Sequence, residues 1–167
     1  SAAVSRDGVT AATVRFGATP GVDIWDIPTR TRSALPGRRG SPAAVVLSDD
    51  GARIATLGVN NNVSVWETAS GTLLFESNSV QMPPFNQVTA FSADLSQVAI
   101  VDDLVFEQFE GPSVTVQLTD IESGQRQSVA RLRDYNSKIA ISPDGKRLAA
   151  VGQKNLTVWS IDSPNPE

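Results

Sequence analysis

Four short segments of this chain superpose: Ala3-Val4-Ser5-Arg6-Asp7-Gly8, Val46-Leu47-Ser48-Asp49-Asp50-Gly51, Ala90-Phe91-Ser92-Ala93-Asp94-Leu95 and Ala140-Ile141-Ser142-Pro143-Asp144-Gly145. Their serines stand 43, 44 and 50 residues apart, the length of one supersecondary unit repeated four times. In Ser-x-Asp-Gly the Asp side chain closes a turn and the Gly takes the positive φ that other residues resist. Each copy is therefore expected to join two antiparallel strands. The third copy has Leu95 in the glycine place, so its turn is expected to differ or to carry strain of about 1 kcal/mol.

After each turn comes an alternating apolar run: Ala11 to Phe16, Ile54 to Val59, Val98 to Val101 and Leu148 to Val151. A third run ends near a tryptophan in three copies, Val22-Asp23-Ile24-Trp25-Asp26, Val63-Ser64-Val65-Trp66-Glu67 and Leu156-Thr157-Val158-Trp159-Ser160. Val116-Gln117-Leu118-Thr119-Asp120 fills that place in the third copy. A fourth run, such as Thr72 to Phe75 or Arg126 to Val129, leads into the next copy. The runs are short, rich in Val, Ile, Thr and Ala, and bounded by Gly, Pro, Asn and Asp, which is the pattern of strands. No 3.6-residue period is sustained, so almost no helix is expected.

Period, strand count and tryptophan position resemble the WD-repeat β-propeller family over nearly the whole chain. The Ser142 to Ala149 stretch also resembles the repeats of TolB-type propellers. The resemblance implies an all-β propeller of four-stranded antiparallel blades, with blades at about 1–35, 43–77, 87–131 and 138–162. It also implies that Trp25, Trp66 and Trp159 are core residues. There is no Gly-His dipeptide, so the family's hydrogen-bonded network of His, Asp, Ser/Thr and Trp cannot form, and stacked apolar faces must carry the stability. On this pattern the chain has fifteen strands, the outermost strand of the fourth blade being absent. Four blades with open end faces are expected to be half of a ring or a fragment of a larger propeller. A segment of a longer chain is preferred over two copies closing an eight-bladed ring, and both over a closed four-bladed ring.

The 167 residues include no His and no Cys, which excludes disulfides, thiol nucleophiles, Ser-His-Asp triads and nearly every zinc site. Between Arg53 and Arg126 there are nine carboxylates and no Lys or Arg, while Arg30, Arg32, Arg38 and Arg39 crowd together elsewhere. With a net charge of −4, that distribution argues against a nucleic-acid partner. No apolar run approaches the ~18 residues of a membrane-spanning helix, and no signal peptide opens the chain, so no membrane partner is expected and the default placement is cytoplasmic.

Three segments break the tight repeat, and the resemblance puts all three on one face of the propeller. Arg38 and Arg39 sit in the loop before the second blade, Met82 and Phe85 in the loop before the third. Phe106 and Phe109 sit in the insertion Asp102 to Pro112, which would join the second and third strands of the third blade. Inserted loops on a rigid scaffold are where binding tends to reside, and these six residues are the candidate partner-binding set. Each has a plainer reading: arginines facing water, a stiff Pro-rich loop whose Phe covers the groove between blades, and a longer hairpin whose phenylalanines tuck against the sheet. The carboxylates of the insertion lack the Asp-x-Asp-x-Asp-Gly spacing of a calcium loop.

Catalysis without His or Cys would fall to carboxylates, Ser, Tyr135, Lys138, Lys146 or Lys154. The adjacent pairs Asp49-Asp50 and Asp102-Asp103 would point to opposite sides of a strand. The expectation is thus a non-catalytic protein–protein interaction scaffold with no cofactor and no metal. Its partner is another protein, together with a second copy or the remaining blades of a parent chain to complete the ring. The alternatives are a regulatory or sensor propeller of a larger signalling enzyme, or part of a metal-dependent propeller hydrolase.

Overall fold

A computed structural model describes residues 1–35, 41–58, 62–77, 89–107, 111–132, 138–151, 156–161 and 163–166, with side chains of 102–107, 111–112 and 163–166 excepted. Among the described residues, sixteen strands form four antiparallel sheets in which sheet order follows chain order. Blade 1 is β1 (Ala2–Val4), β2 (Thr10–Arg15), β3 (Gly21–Asp26) and β4 (Thr31–Ala34). Blade 2 is β5 (Pro42–Leu47), β6 (Arg53–Gly58), β7 (Val63–Glu67) and β8 (Leu73–Glu76). Blade 3 is β9 (Thr89–Phe91), β10 (Gln97–Glu107), β11 (Gly111–Asp120) and β12 (Arg126–Leu132). Blade 4 is β13 (Lys138–Ile141), β14 (Arg147–Val151), β15 (Leu156–Ser160) and β16 (Ser163–Pro166). No helix among the described residues is long and apolar enough to cross a membrane.

The strand β16 corrects the expected count of fifteen. It pairs with β15 through Trp159↔Pro166 and Ser160↔Ser163, around an irregularity. Ser-Pro-Asn-Pro has no β-forming alternation, which is why the strand pattern in the sequence stops at Ile161. An outermost strand, however, bonds on one side only and tolerates the missing N–H of proline.

The repeated turn is built the same way four times. In blade 1 the Ser5 hydroxyl donates to Asp7 Oδ1 at 2.6 Å and accepts the Thr10 N–H at 2.9 Å, while Asp7 Oδ1 accepts the Val9 N–H at 2.9 Å. Ser48 with Asp50, Ser92 with Asp94 and Ser142 with Asp144 repeat the pattern. Gly8, Gly51 and Gly145 have φ of 72°, 68° and 69°, and Leu95 matches them at 53°. The third turn therefore keeps its shape and carries the strain instead. A left-handed residue costs about 1–2 kcal/mol, and Leu95 is 1% exposed, a burial that contributes about 1.5–3 kcal/mol in return.

Two compact units, Ser1–Ser79 and Val80–Glu167, each hold two blades. In the first unit, the face of blade 2 bearing Val45, Leu47, Ile54 and Trp66 packs on the face of blade 1 bearing Ala3, Ala12, Val14, Val22 and Ile24. In the second unit, Leu148, Ala150 and Trp159 of blade 4 pack in the same sense on Ala99, Val101, Val116 and Leu118 of blade 3. The turns stack as well. A Cβ on Gly51 would lie 2.8 Å from Thr10 Oγ1, and one on Gly145 would lie 2.8 Å from Gln97 Oε1. Only glycine allows that approach, so the glycines serve blade stacking as well as the turn.

Trp66 and Trp159 are core, at 6% and 5% exposure, as the sequence predicts. Trp25 is not, at 37%. It lies on the face of blade 1 opposite the one that packs on blade 2, so the repeat position alone does not bury it.

Candidate functional site

Of the candidate binding residues, Arg38, Arg39, Met82, Phe85 and Phe109 lie outside the described residues, as do Tyr135 and Lys154. Phe106 lies within β10, its backbone paired with Pro112. The insertion is thus the longer hairpin of the plainer reading, a continuation of the β10–β11 ladder, rather than a loop. Pairing runs from Gln97↔Asp120 to Glu107↔Gly111, with a register shift between Asp102 and Leu104 that leaves Asp103 unpaired. A bulge of this kind bends a strand and raises its twist, re-aiming the residues beyond it.

Among the described residues, the neighbouring strands stop short of the ladder's end. β9 pairs with β10 only through Val98, Ala99 and Ile100, and β12 reaches β11 no further than Val114. The pairs Val105↔Ser113, Phe106↔Pro112 and Glu107↔Gly111 therefore belong to a two-stranded arm that outruns its sheet. The β-branched and aromatic residues Val105, Phe106, Val114, Thr115 and Val116 supply the β propensity that makes the insertion strand.

A second feature, missed in the sequence, is the open face of blade 1. Trp25 Nε1 donates to Thr13 Oγ1 at 3.0 Å, and the Arg32 guanidinium lies 5.7 Å from the ring centroid. Beside them Asp23 is 5% exposed and set between two guanidinium groups, Arg15 Nη1 at 3.4 Å and Arg32 Nη1 at 3.9 Å. Arg15 is held in turn by its Nε–H donating to the Thr19 carbonyl at 3.0 Å. Two cations around one buried carboxylate leave the cluster with a net positive charge beside an exposed aromatic ring. The sequence signal was Asp23 placed two residues before Trp25 within an apolar run, hence on the same side of the strand as the tryptophan.

The turn aspartates have a structural role. Hydrogen bonds from Ser5 and the Val9 N–H hold Asp7 below the usual carboxylate range, those from Ser48 and the Ala52 N–H do so for Asp50, and those from Ser142 and the Lys146 N–H for Asp144. At Asp94 burial pushes upward, and the Ser96 N–H with the Ser92 and Ser96 hydroxyls together outweigh it. A carboxylate stabilised as an anion by its own turn is a poor proton acceptor, which removes these four from any acid–base role. In the second unit a cleft of about 320 Å³ is lined by Gln97, Leu118, Asp120, Gln125, Arg126 and Gln127. Its carboxylate, Asp120, already accepts the Ser123 N–H and hydroxyl within the β11–β12 turn.

No protein-family model matches the sequence, and no curated protein matches it. Solved structures do. The chain is similar to TolB from Acinetobacter baumannii (17% identity, TM-score 0.59, covering 99% of this chain and 41% of that one). It is similar to a chain of a mitotic checkpoint complex (18%, 0.64, covering 99% and 47%) and to oligogalacturonate lyase from Vibrio parahaemolyticus (12%, 0.69, covering 99% and 50%). The chain thus spans half or less of the length of these structures. All three are propellers, and the fold here is accordingly an all-β propeller segment of four-stranded antiparallel blades.

Proposed function

We propose that this chain is a non-catalytic, WD-type propeller segment that binds another protein, with the β10–β11 arm of blade 3 as its docking element. The observation that carries the reading is the arm itself. Among the described residues the end of the arm pairs only with itself, which leaves main-chain N–H and C=O groups for a partner, and Phe106 and Phe109 are apolar residues of the insertion. A ribbon of this kind can add to a partner's sheet edge while its aromatics fill pockets, a mode in which main-chain bonds supply affinity and side chains specificity. The acidic residues Asp102, Asp103, Glu107 and Glu110 favour a partner with a basic rim. The lack of any His or Cys supports the non-catalytic part of the reading.

The test replaces 106–112 by Asn-Gly, so that the paired Val105 and Ser113 flank the two-residue turn that closes a hairpin directly. Thermal unfolding should be unchanged, because the arm outruns the sheet. A photo-crosslinking residue at position 106 or 109 should capture one defined protein from the native source, and the trimmed chain should lose it. Capture that survives trimming would remove the arm from the binding role.

A further inference from the structure

We infer that the cleft beside Gln97 in the second unit is a binding site for an uncharged saccharide, a ligand whose hydroxyl groups both donate and accept hydrogen bonds. Three strands of blade 3 place its lining on one side of the sheet. Leu118 and Ala99 pack toward blade 4. Gln97 stands two residues before Ala99 and opposite Asp120, Gln127 stands opposite Leu118, and Gln125 stands two residues before Gln127. Alternate residues of a strand share a face, so the three glutamines, Asp120 and Leu118 converge, and Arg126 completes the lining among the described residues. The cleft therefore lies on the face that blade 4 covers, inside one unit, at the other end of the β10–β11 ladder from the arm.

Blade 1 has the same framework with a different lining. Asp26 and Asp120 each accept the N–H and the hydroxyl of one turn residue, Thr29 and Ser123. Ile24 stands in the place of Leu118. At the three remaining positions blade 1 carries Thr10, Thr31 and Ser33, where blade 3 carries Gln97, Gln125 and Gln127. Short hydroxyl side chains thus serve the fold at these positions, and the Thr31 hydroxyl bonds to that of Thr29 within its own turn. The blade does not require three long amides there.

A primary amide offers two donors and an acceptor oxygen, so three of them around a cleft match a ligand of adjacent hydroxyls, each of which donates and accepts. Gln97 gives the most direct evidence. Its Oε1 is buried against Gly145 with no hydrogen-bond partner. Buried acceptors rarely go unpaired. A hydroxyl entering the cleft supplies the missing donor, and turning the amide toward it forfeits no bond at that oxygen. The Asp120 carboxylate and the Arg126 guanidinium balance in charge, which favours an uncharged ligand over a phosphate. The described lining offers no aromatic face on which a nucleobase could stack, whereas Leu118 gives the C–H side of a sugar ring an apolar contact. A volume of about 320 Å³ falls at the lower end of small-ligand sites.

The test is an NMR titration of the isotope-labelled chain with glucose, galactose, mannose and N-acetylglucosamine, read at the glutamine side-chain amide signals. At least one sugar should shift the Gln97, Gln125 and Gln127 signals saturably. Gln97→Met and Gln127→Ala should each weaken that binding about 10-fold, the loss of one hydrogen bond. Gln97→Met removes the unpaired oxygen at equal length, so its melting temperature should be no lower than that of the wild type, which separates lost binding from lost folding. Gln117→Ala, on the opposite side of β11 from Leu118, should bind as the wild type does. Signals that none of the four sugars moves, or shifts that survive both cleft substitutions, would overturn the inference. Saturation by the blocked peptide acetyl-triglycine amide, with the sugars inert, would overturn it too and assign the cleft to main-chain recognition. The arm is tested separately, because replacing 106–112 removes none of the cleft's residues.

Discussion

Trp25 and Trp66 occupy the same place in two adjacent blades and make the same bond, Nε1–H to a threonine hydroxyl on the neighbouring strand, at 3.0 Å for Thr13 and 3.2 Å for Thr56. One is 37% exposed under an arginine, and the other is 6% exposed within a core. The bond is a property of the blade, because both partners come from one hairpin. The burial is a property of the next sheet. Such a division is expected of a repeat protein, where stability sums intrinsic terms for each repeat and interface terms between neighbours. Blade 1 shows the intrinsic term at its Trp25 face, and blade 2 shows both.

The largest consequence is a difference between two identical substitutions. Trp66→Ala should cost about 3–5 kcal/mol, as for a buried aromatic truncated in a core, whereas Trp25→Ala should cost about 1 kcal/mol. Urea unfolding of the two variants reads both. Equal losses would break the comparison.

The turns sharpen it with a smaller effect. A Cβ on Gly8 meets nothing within 4 Å, while one on Gly51 meets the Thr10 side chain at 2.8 and 2.9 Å. Gly8→Ala should cost about 1–2 kcal/mol, the strain of a left-handed residue alone. Gly51→Ala should cost more, the excess measuring the stacking of one blade's turn on the next. Combining it with Thr10→Ser, which removes a methyl group but keeps the hydroxyl, should not recover the full excess, because Oγ1 is itself among the close atoms.

The smallest effect is shared by all four blades and tests what they have in common. Asp7, Asp50, Asp94 and Asp144 are all held below the ordinary aspartate value of 3.8 in the folded chain. A carboxylate lowered on folding contributes stability that is complete above its unfolded value and is lost as the pH falls through its folded value. The melting temperature should therefore be level with respect to these groups above about pH 5 and decline below about pH 4. Asp144→Asn should flatten part of that decline. A decline unchanged in the Asn variant would assign acid sensitivity to other carboxylates.

Much of the architecture was readable from the chain because it is local. Ser-x-Asp-Gly builds its turn from bonds spanning five residues or fewer, so the motif and the turn coincide in every copy, including the copy where Leu95 replaces the glycine. The Leu95 turn also shows the limit. Sequence identified strain as one of two outcomes, and burial of the side chain at 1% exposure accompanies the one observed. The candidate site was legible in position, and its form was left open between an inserted loop and a longer hairpin. Asp102 to Pro112 stood out as an insertion, yet loop and strand differ there by cross-strand pairing, which the alternation of a few residues does not decide.

Sequence alone determined the repeat, its turns, the strand direction and the exclusion of thiol and imidazole chemistry, since each depends on residue types within a few positions of one another. Tertiary structure decided which tryptophans are core, that Asp23 lies between Arg15 and Arg32, and that Ser163–Pro166 pairs as the outermost strand of the fourth blade. Burial depends on what another sheet brings against a surface. Two blades with the same pattern are indistinguishable until that neighbour is in place.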